Sequence, residues 1–321
     1  MESTRHTPAP ARPTGRFAPT PSGRMHLGNV YSCLLAWLSA RARGGRVLLR
    51  VEDLDPRTQS GPWTELLLDD LRWLGLDWDG EPVYQHDRID LYEDALARLQ
   101  GLGLVYPCFC TRAELHAATA PHASDGTPIY PGTCRDLTPA QVAERSRIRP
   151  PALRLRVPAD SDPAGTISFI DRTYGPHREV LARECGDFLV RRSDGVFAYQ
   201  LAVTVDDAEM GVTEVVRGRD LLPSVARQVY LQRLLGAAEP EYAHIPLLVA
   251  PDGRRLSKRD RDLDMAGLRE RFGDAAHLLG WLAYVAGLAP DAAPRTAARL
   301  AETFTWDAVR AHREDIIAWD S

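Results

Sequence analysis

The apolar residues of the first hundred positions alternate between two rhythms. Residues 16–18 read as the end of a short strand, stopped by Pro19 and Pro21, neither of which can donate to a ladder. A turn through Ser22-Gly23 follows. Val30, Cys33, Leu34, Trp37 and Leu38 then recur at helical spacing, and Gly44-Gly45 stops the run. Residues 46–51 form a β-rich run ending in Glu52-Asp53-Leu54-Asp55-Pro56. Helical patterns return over 64–74 and 91–99, closed by Gly75 and Gly101. Strands alternating with helices predict a doubly wound α/β fold with a parallel sheet.

From Tyr106 to about Arg149 that rhythm breaks into Pro, Gly and cysteine with little periodicity, which predicts an insertion held by something other than a large core. Leu153-Arg154-Leu155-Arg156-Val157 alternates, placing both arginines on one strand face: a solvated edge strand or a contact to an RNA backbone. Arg145, Arg147 and Arg149 belong to the same basic cluster. The sheet pattern resumes over 188–191 and 197–205. A helix capped by Asp220, with Pro223 in its first turn, runs to Leu235, and 242–250 reads as a strand. Asp252-Gly253 turns the chain into a basic loop, Arg254-Arg255-Leu256-Ser257-Lys258-Arg259, and 261–321 reads as mostly helical.

Composition narrows the class. A chain of 321 residues, 44% hydrophobic and 26% charged, has room for two or three domains and an ample core. No apolar run reaches membrane-spanning length, and the first 15 residues read as a disordered leader without a signal segment; the expectation is a cytoplasmic protein with no membrane partner. A net charge of −5 argues against a general nucleic-acid coat, while leaving room for a local basic groove. Five cysteines in such a chain point to thiols or metal rather than disulfides.

Two places carry candidate chemistry. A strand, a polar loop and a helix opening at Gly28 can turn backbone N–H groups and a positive dipole end toward phosphate, with His26 and Asn29 in reach of the same group. Glu52 follows a strand, where an open sheet binds its ligands, and can meet an ammonium; alternatively it caps a turn, as expected for Asp53 and Asp55. The insertion offers Cys108, Cys110 and Cys134, three thiolates for a structural zinc that wants four ligands; on chemistry alone the fourth is His116 or His122. Cys33, Cys185 and His277 read as packing residues.

RFAPTPSGRMHLGN, RVEDLDP, FAYQLAVTVDDAEMGVTEVVRGRDL and RRLSKR, in this order, resemble the motifs of class I aminoacyl-tRNA synthetases of the glutamyl type across residues 16–260. The resemblance implies a Rossmann-type nucleotide-binding domain that joins L-glutamate to ATP. It implies glutamate binding by Arg16, Phe17, Ala18, Pro19, Thr20, Glu52, Tyr199 and Arg217. ATP, with its Mg2+, falls to His26, Gly28, Asn29 and Lys258, of which His26 and Lys258 are the catalytic pair. It also points to Tyr130 as the fourth ligand of one structural Zn2+, with His122 as runner-up. Two positions depart from the family: Asn29 stands where its motif has a second histidine, and the lysine loop reads RLSKR. About sixty residues follow Lys258, too few for an anticodon-binding domain. That fits the family's short branch, whose acceptor is tRNA(Asp) containing queuosine. A truncated enzyme charging a tRNA 3′ end or another amine, and a silent zinc-stabilised RNA-binding module, are the alternatives. The expected division is a leader (1–15), the first half of the catalytic domain (16–105), the zinc insertion (106–187), the second half (188–245) and a helical region carrying the lysine loop (246–321), in a monomer.

Overall fold

A computed structural model of the chain describes residues 12–111, 113–114, 129–250, 253 and 264–318. Strand β1 (Thr14–Phe17) pairs in parallel with β2 (Arg46–Val51), which pairs in parallel with β3 (Val83–Tyr84). Helix α1 (Leu27–Arg41) connects β1 to β2, and its Leu27, Val30, Leu34, Leu35 and Leu38 are buried on a core shared with the C-terminal helices. Helices α2 (Trp63–Trp73) and α3 (Ile89–Gly101) follow, as the 3.6-residue spacing predicts. β1 begins inside the expected leader because Pro13 accepts a hydrogen bond from Arg46 N. That contact leaves no room beside Gly45, where a Cβ would lie 2.3 Å from Pro13 O. Residues 1–11 lie outside the described residues.

β4 (Val105–Cys108), β5 (Ala152–Leu155) and β8 (Phe188–Arg191) make a small antiparallel sheet with β5 in the middle. The hairpin of β6 (Thr166–Asp171) and β7 (Gly175–Val180) joins a different sheet, in which β10 (Glu241–Ile245) lies in parallel between β6 and β9 (Glu214–Gly218). A short parallel pair, β11 (Leu248–Val249) with β12 (Ile316–Ile317), returns the C-terminal region to the body.

The two parallel sheets meet between β1 and β9. Thr213 N donates to Thr14 O and Thr14 N to Thr213 Oγ1, both at 2.9 Å, and no ladder continues from there. From that seam β1-β2-β3 runs one way and β9-β10-β6-β7 the other. This is a topological switch point, the place where open α/β sheets bind ligands at their carboxyl ends.

Several sequence expectations are corrected here. Residues 197–205 are not a strand: Tyr199–Glu209 is a helix, whose Val203-Thr204-Val205 run mimics a buried strand while Leu201, Ala202 and Val205 pack on the second core. The strand expected over 242–250 breaks at Pro246 into β10 and β11. Gly218, not Asp220, precedes the 3-10 turn Arg219–Ser224 that leads into the helix Val225–Leu235. Arg154 is neither on an edge strand nor on an open face. It is 6% exposed, since β5 is the central strand.

In the helix Ala275–Val285, a Cβ on Gly280 would sit 2.1 Å from Ala293 O, a backbone atom that cannot rotate away. Gly280→Ala is expected to cost about 1–3 kcal/mol. Urea unfolding should show a lower midpoint at unchanged slope.

Candidate functional site

The crevice at the switch point encloses about 480 Å³, walled by the loop after β1, the first turn of α1, the end of β2, and the segments that follow β9 and β10. Chain reversal at Pro19–Ser22 sets α1 down with its N-terminus facing the crevice. His26 is the N-cap: its Nδ1 accepts from Gly28 N at 3.2 Å, while Asn29 Oδ1 accepts from His26 N at 3.2 Å, a reciprocal capping box. With Nδ1 accepting, a neutral His26 ring carries its proton on Nε2. Gly28 keeps the ring close, as a Cβ there would meet His26 Cε1 at 3.1 Å. Asn29 thus has a structural task at its oxygen, closing the capping box on His26 N.

Arginines and carboxylates interlock beyond this turn. Arg16, at the carboxyl end of β1, is buried; its Nε donates to Asp207 Oδ1 at 3.3 Å and its Nη1 to Val216 O at 3.1 Å. Arg50 Nη1 donates to the same Asp207 oxygen at 2.6 Å, and its Nη2 to Glu52 Oε1 at 3.1 Å. Burial pushes the Glu52 carboxyl up, against the pull of Arg50 and Arg16. Burial acts the same way on Asp207, but there Arg50 and Arg16 outweigh it and hold the group below its ordinary value. Tyr199 opens its helix at the crevice wall. Asp206, next along that helix face, accepts from Gln85, Arg88 and Tyr92.

Arg217, near the end of β9, is 4% exposed. Its Nε donates to His244 Nε2 at 3.0 Å, its Nη2 donates to Leu221 O at 3.3 Å, and the Tyr242 ring lies 5.7 Å away. Nη1 is buried with no hydrogen-bond partner among the described residues. His244 Nδ1 lies 2.6 Å from Asp171 Oδ2. Burial, with Arg217 and Arg16 adding to it, lowers this imidazole from its ordinary 6.5 to about 4 despite Asp171. Below pH 6.5 an unfolded chain takes up a proton here that the folded chain refuses until about pH 4, so stability falls on acidification across that window. The melting temperature is expected to drop more steeply between pH 6.5 and 4.5 in the wild type than in His244→Gln.

The expected site residues are therefore brought together in part. Arg16, Ala18, Pro19, Thr20, His26, Gly28, Asn29, Glu52, Tyr199 and Arg217 all line the crevice, whereas the Phe17 side chain is buried in the core behind it. Lys258 and its loop lie outside the described residues. The sequence did not single out Arg50, Asp171 or His244. Asp53 and Asp55 do shape the turn: Asp55 caps the 3-10 segment Pro56–Thr58, and Asp53 accepts from His86 N.

In the insertion, the Sγ atoms of Cys108, Cys110 and Cys134 all lie within 4.8 Å of one another. Cys110 and Cys134 sulfurs are 3.7 Å apart, and the Tyr130 hydroxyl is 3.5 Å from Cys108 Sγ and 3.7 Å from Cys110 Sγ. Tetrahedral sulfur ligands at a zinc–sulfur distance of about 2.3 Å stand about 3.8 Å apart, so this spacing fits one metal ion. Arg154 lies 3.8 Å over the Tyr130 ring and donates from Nε to Cys108 Sγ at 3.3 Å. His116 and His122 lie outside the described residues.

A family model described as class I tRNA synthetases (E and Q), catalytic domain, matches residues 14–278. The chain is 49% identical to a glutamyl-Q tRNA(Asp) synthetase of Nitratidesulfovibrio vulgaris over 292 residues, 88% of each chain. It is 48% identical to the protein of the same description from Symbiobacterium thermophilum, over 94% of each. Among solved structures it resembles a glutamate tRNA ligase from Elizabethkingia meningosepticum in complex with its amino acid. That likeness has a TM-score of 0.77 at 26% identity and covers 95% of this chain and 67% of the other.

Proposed function

The chain belongs to the family of class I tRNA synthetase catalytic domains for glutamate and glutamine, and from that premise we propose that it activates L-glutamate with ATP and transfers the glutamyl group to the queuosine base of tRNA(Asp). The acceptor is the one after which its relatives are named. The observation that carries the glutamate reading is the buried, unpartnered Nη1 of Arg217 in the wall of a crevice that also holds Arg16 and Glu52.

Glutamate brings one ammonium and two carboxylates. Four guanidinium groups (Arg16, Arg50, Arg88, Arg217) stand among three carboxylates (Glu52, Asp206, Asp207) at this end of the sheet. In this reading Arg217 pairs with a carboxylate through its planar fork, and Glu52 receives the ammonium. Arg16, fixed by Asp207, and Tyr199 shape the remaining walls, while the backbone from Ala18 to Thr20 closes the floor.

The α-carboxylate then attacks the α-phosphorus of ATP. A carboxylate oxygen–phosphorus bond forms, the bond to the bridging oxygen breaks, and pyrophosphate leaves with the electron pair. Such a displacement needs alignment and stabilisation of developing charge. The N-terminus of α1 at Gly28, the Nε2 proton of His26 and the ammonium of Lys258 are assigned that task. Mg2+ accompanies the triphosphate and neutralises part of its charge. A hydroxyl of the queuosine ring next attacks the carbonyl carbon of the mixed anhydride, forming an ester as the bond to the phosphate oxygen breaks, and AMP leaves with the electron pair while the hydroxyl proton passes to its phosphate or to water. Cys108, Cys110, Cys134 and Tyr130 would hold one Zn2+ away from the reacting atoms, as a structural clip for the insertion.

The test is incubation with ATP, labelled glutamate and either tRNA(Asp) with or without queuosine or tRNA(Glu), with parallel samples oxidised by periodate to destroy vicinal diols. Label on queuosine-containing tRNA alone, abolished by prior oxidation, is the expected result. Label on the 3′ end of tRNA(Glu) would replace the proposed acceptor, and absence of any ATP-dependent label would overturn activation itself.

A further inference from the structure

Among the described residues, no carboxylate is paired with Arg217. Three neighbouring strands hold it instead, at the carboxyl ends that face the crevice. Asp171 ends β6, His244 is next to last in β10, Arg217 is next to last in β9, and His244 and Arg217 stand opposite each other in register. All three are buried: 1%, 0% and 4% exposed. Asp171 is itself fixed, Oδ1 accepting from Thr173 N at 2.9 Å and Tyr174 N at 3.0 Å, Oδ2 from His244 N at 3.0 Å.

The order of protons follows from chemistry. A guanidinium has donors and no acceptor, so His244 Nε2 must offer a lone pair to Arg217 Nε–H. Its Nδ1 then carries the proton and donates to Asp171. The carboxylate therefore locks the tautomer, and the tautomer holds the inner side of the arginine fork. Leu221 O accepts from Nη2, which leaves Nη1 as the end without a partner among the described residues, on a side chain that lines the crevice. A buried donor left without an acceptor is costly, and a ligand carboxylate relieves that cost.

We propose that His244, locked by Asp171, is a positioning residue for the amino-acid substrate: it aims the Arg217 guanidinium so that its unpartnered end meets the substrate carboxylate. This rests on the reading of Arg217 as a carboxylate-binding residue. An arginine oriented by a neutral imidazole keeps its full charge for the ligand, whereas one oriented by a protein carboxylate would be half neutralised before substrate arrives. The arrangement favours a carboxylate over an uncharged amide, and so separates glutamate from glutamine.

Two substitutions divide the imidazole's tasks. His244→Asn keeps an N–H toward Asp171 and loses the acceptor for Arg217; His244→Gln can place an amide oxygen where Nε2 was. In ATP–pyrophosphate exchange with tRNA present, His244→Asn is expected to raise the glutamate KM about 10- to 100-fold with the ATP KM within about twofold. His244→Gln should recover most of that loss. A folded His244→Asn protein with an unchanged glutamate KM, or with glutamate and ATP KM rising together, would overturn the proposal. Arg217→Ala serves as the control. If it leaves the glutamate KM unchanged, the reading of Arg217 fails; if it raises KM while His244→Asn does not, only the positioning role fails. Ring 15N shifts of the wild type need no variant to fold. They should report a proton on Nδ1 and none on Nε2 at neutral pH, with the Nε2 signal moving when glutamate binds. A proton on Nε2 would exclude the arrangement.

Discussion

Arg217→Ala is expected to lower kcat/KM for glutamate by about 30- to 4000-fold, corresponding to about 2–5 kcal/mol for truncating one partner of a buried, hydrogen-bonded charge pair. The loss should appear mainly in the glutamate KM and leave the ATP KM within about twofold, because Arg217 stands on the β9 side of the crevice and the α1 N-terminus on the other. The alanine variant also removes the donor to the buried His244 Nε2, so a lower melting temperature accompanies it. Arg217→Lys separates the two effects. Lysine keeps the charge but not the fork, so it cannot contact His244, Leu221 O and a carboxylate at once, and most of the loss should persist. Retention of wild-type glutamate kinetics in both variants would remove the central contact from the proposed site.

How far the chain announces this site depends on how local each signal is. The acid after β2 and the arginine near the end of β9 sit beside strand ends, the helix opening at Gly28 follows β1 through a single loop, and the crevice does collect His26, Glu52 and Arg217. What carries them is non-local. Asp207 reaches Arg16 across 191 positions and Arg50 across 157, and its helix is disguised by a β-branched run. Asp171 and His244 stand 73 residues apart, and nothing in either neighbourhood marks the pairing. Arg154 shows the opposite failure. Its alternating pattern is that of an exposed strand face, but Tyr130 and Cys108 close over that face, so its guanidinium is consumed inside the insertion. Periodicity finds the elements; which charges are spent on each other becomes visible only when strands from different parts of the chain lie side by side.

The insertion supplies the second large effect. Its buried cluster contains Tyr106, Cys108, Phe109, Tyr130 and Cys134, with Cys110, Leu137 and Val142 packed against it. So few apolar side chains cannot offset the entropy of ordering the loops around them. Binding of a structural zinc by this type of site contributes about 10–16 kcal/mol to the folded form at neutral pH, far more than the cluster can. Purified protein is expected to carry one zinc per chain by atomic emission. Dialysis against a strong chelator, or Cys134→Ser, should remove it and open the insertion to protease, while the core of α1, β1 and β2 stays protected, because none of its residues belongs to the insertion cluster. Arg154 should follow the metal: with Cys108 and Tyr130 released, its stacking contact is lost, and cleavage near β5 should rise in step with zinc loss. A zinc-free preparation with full protease resistance would show that the three thiols and the tyrosine are packed for their own sake.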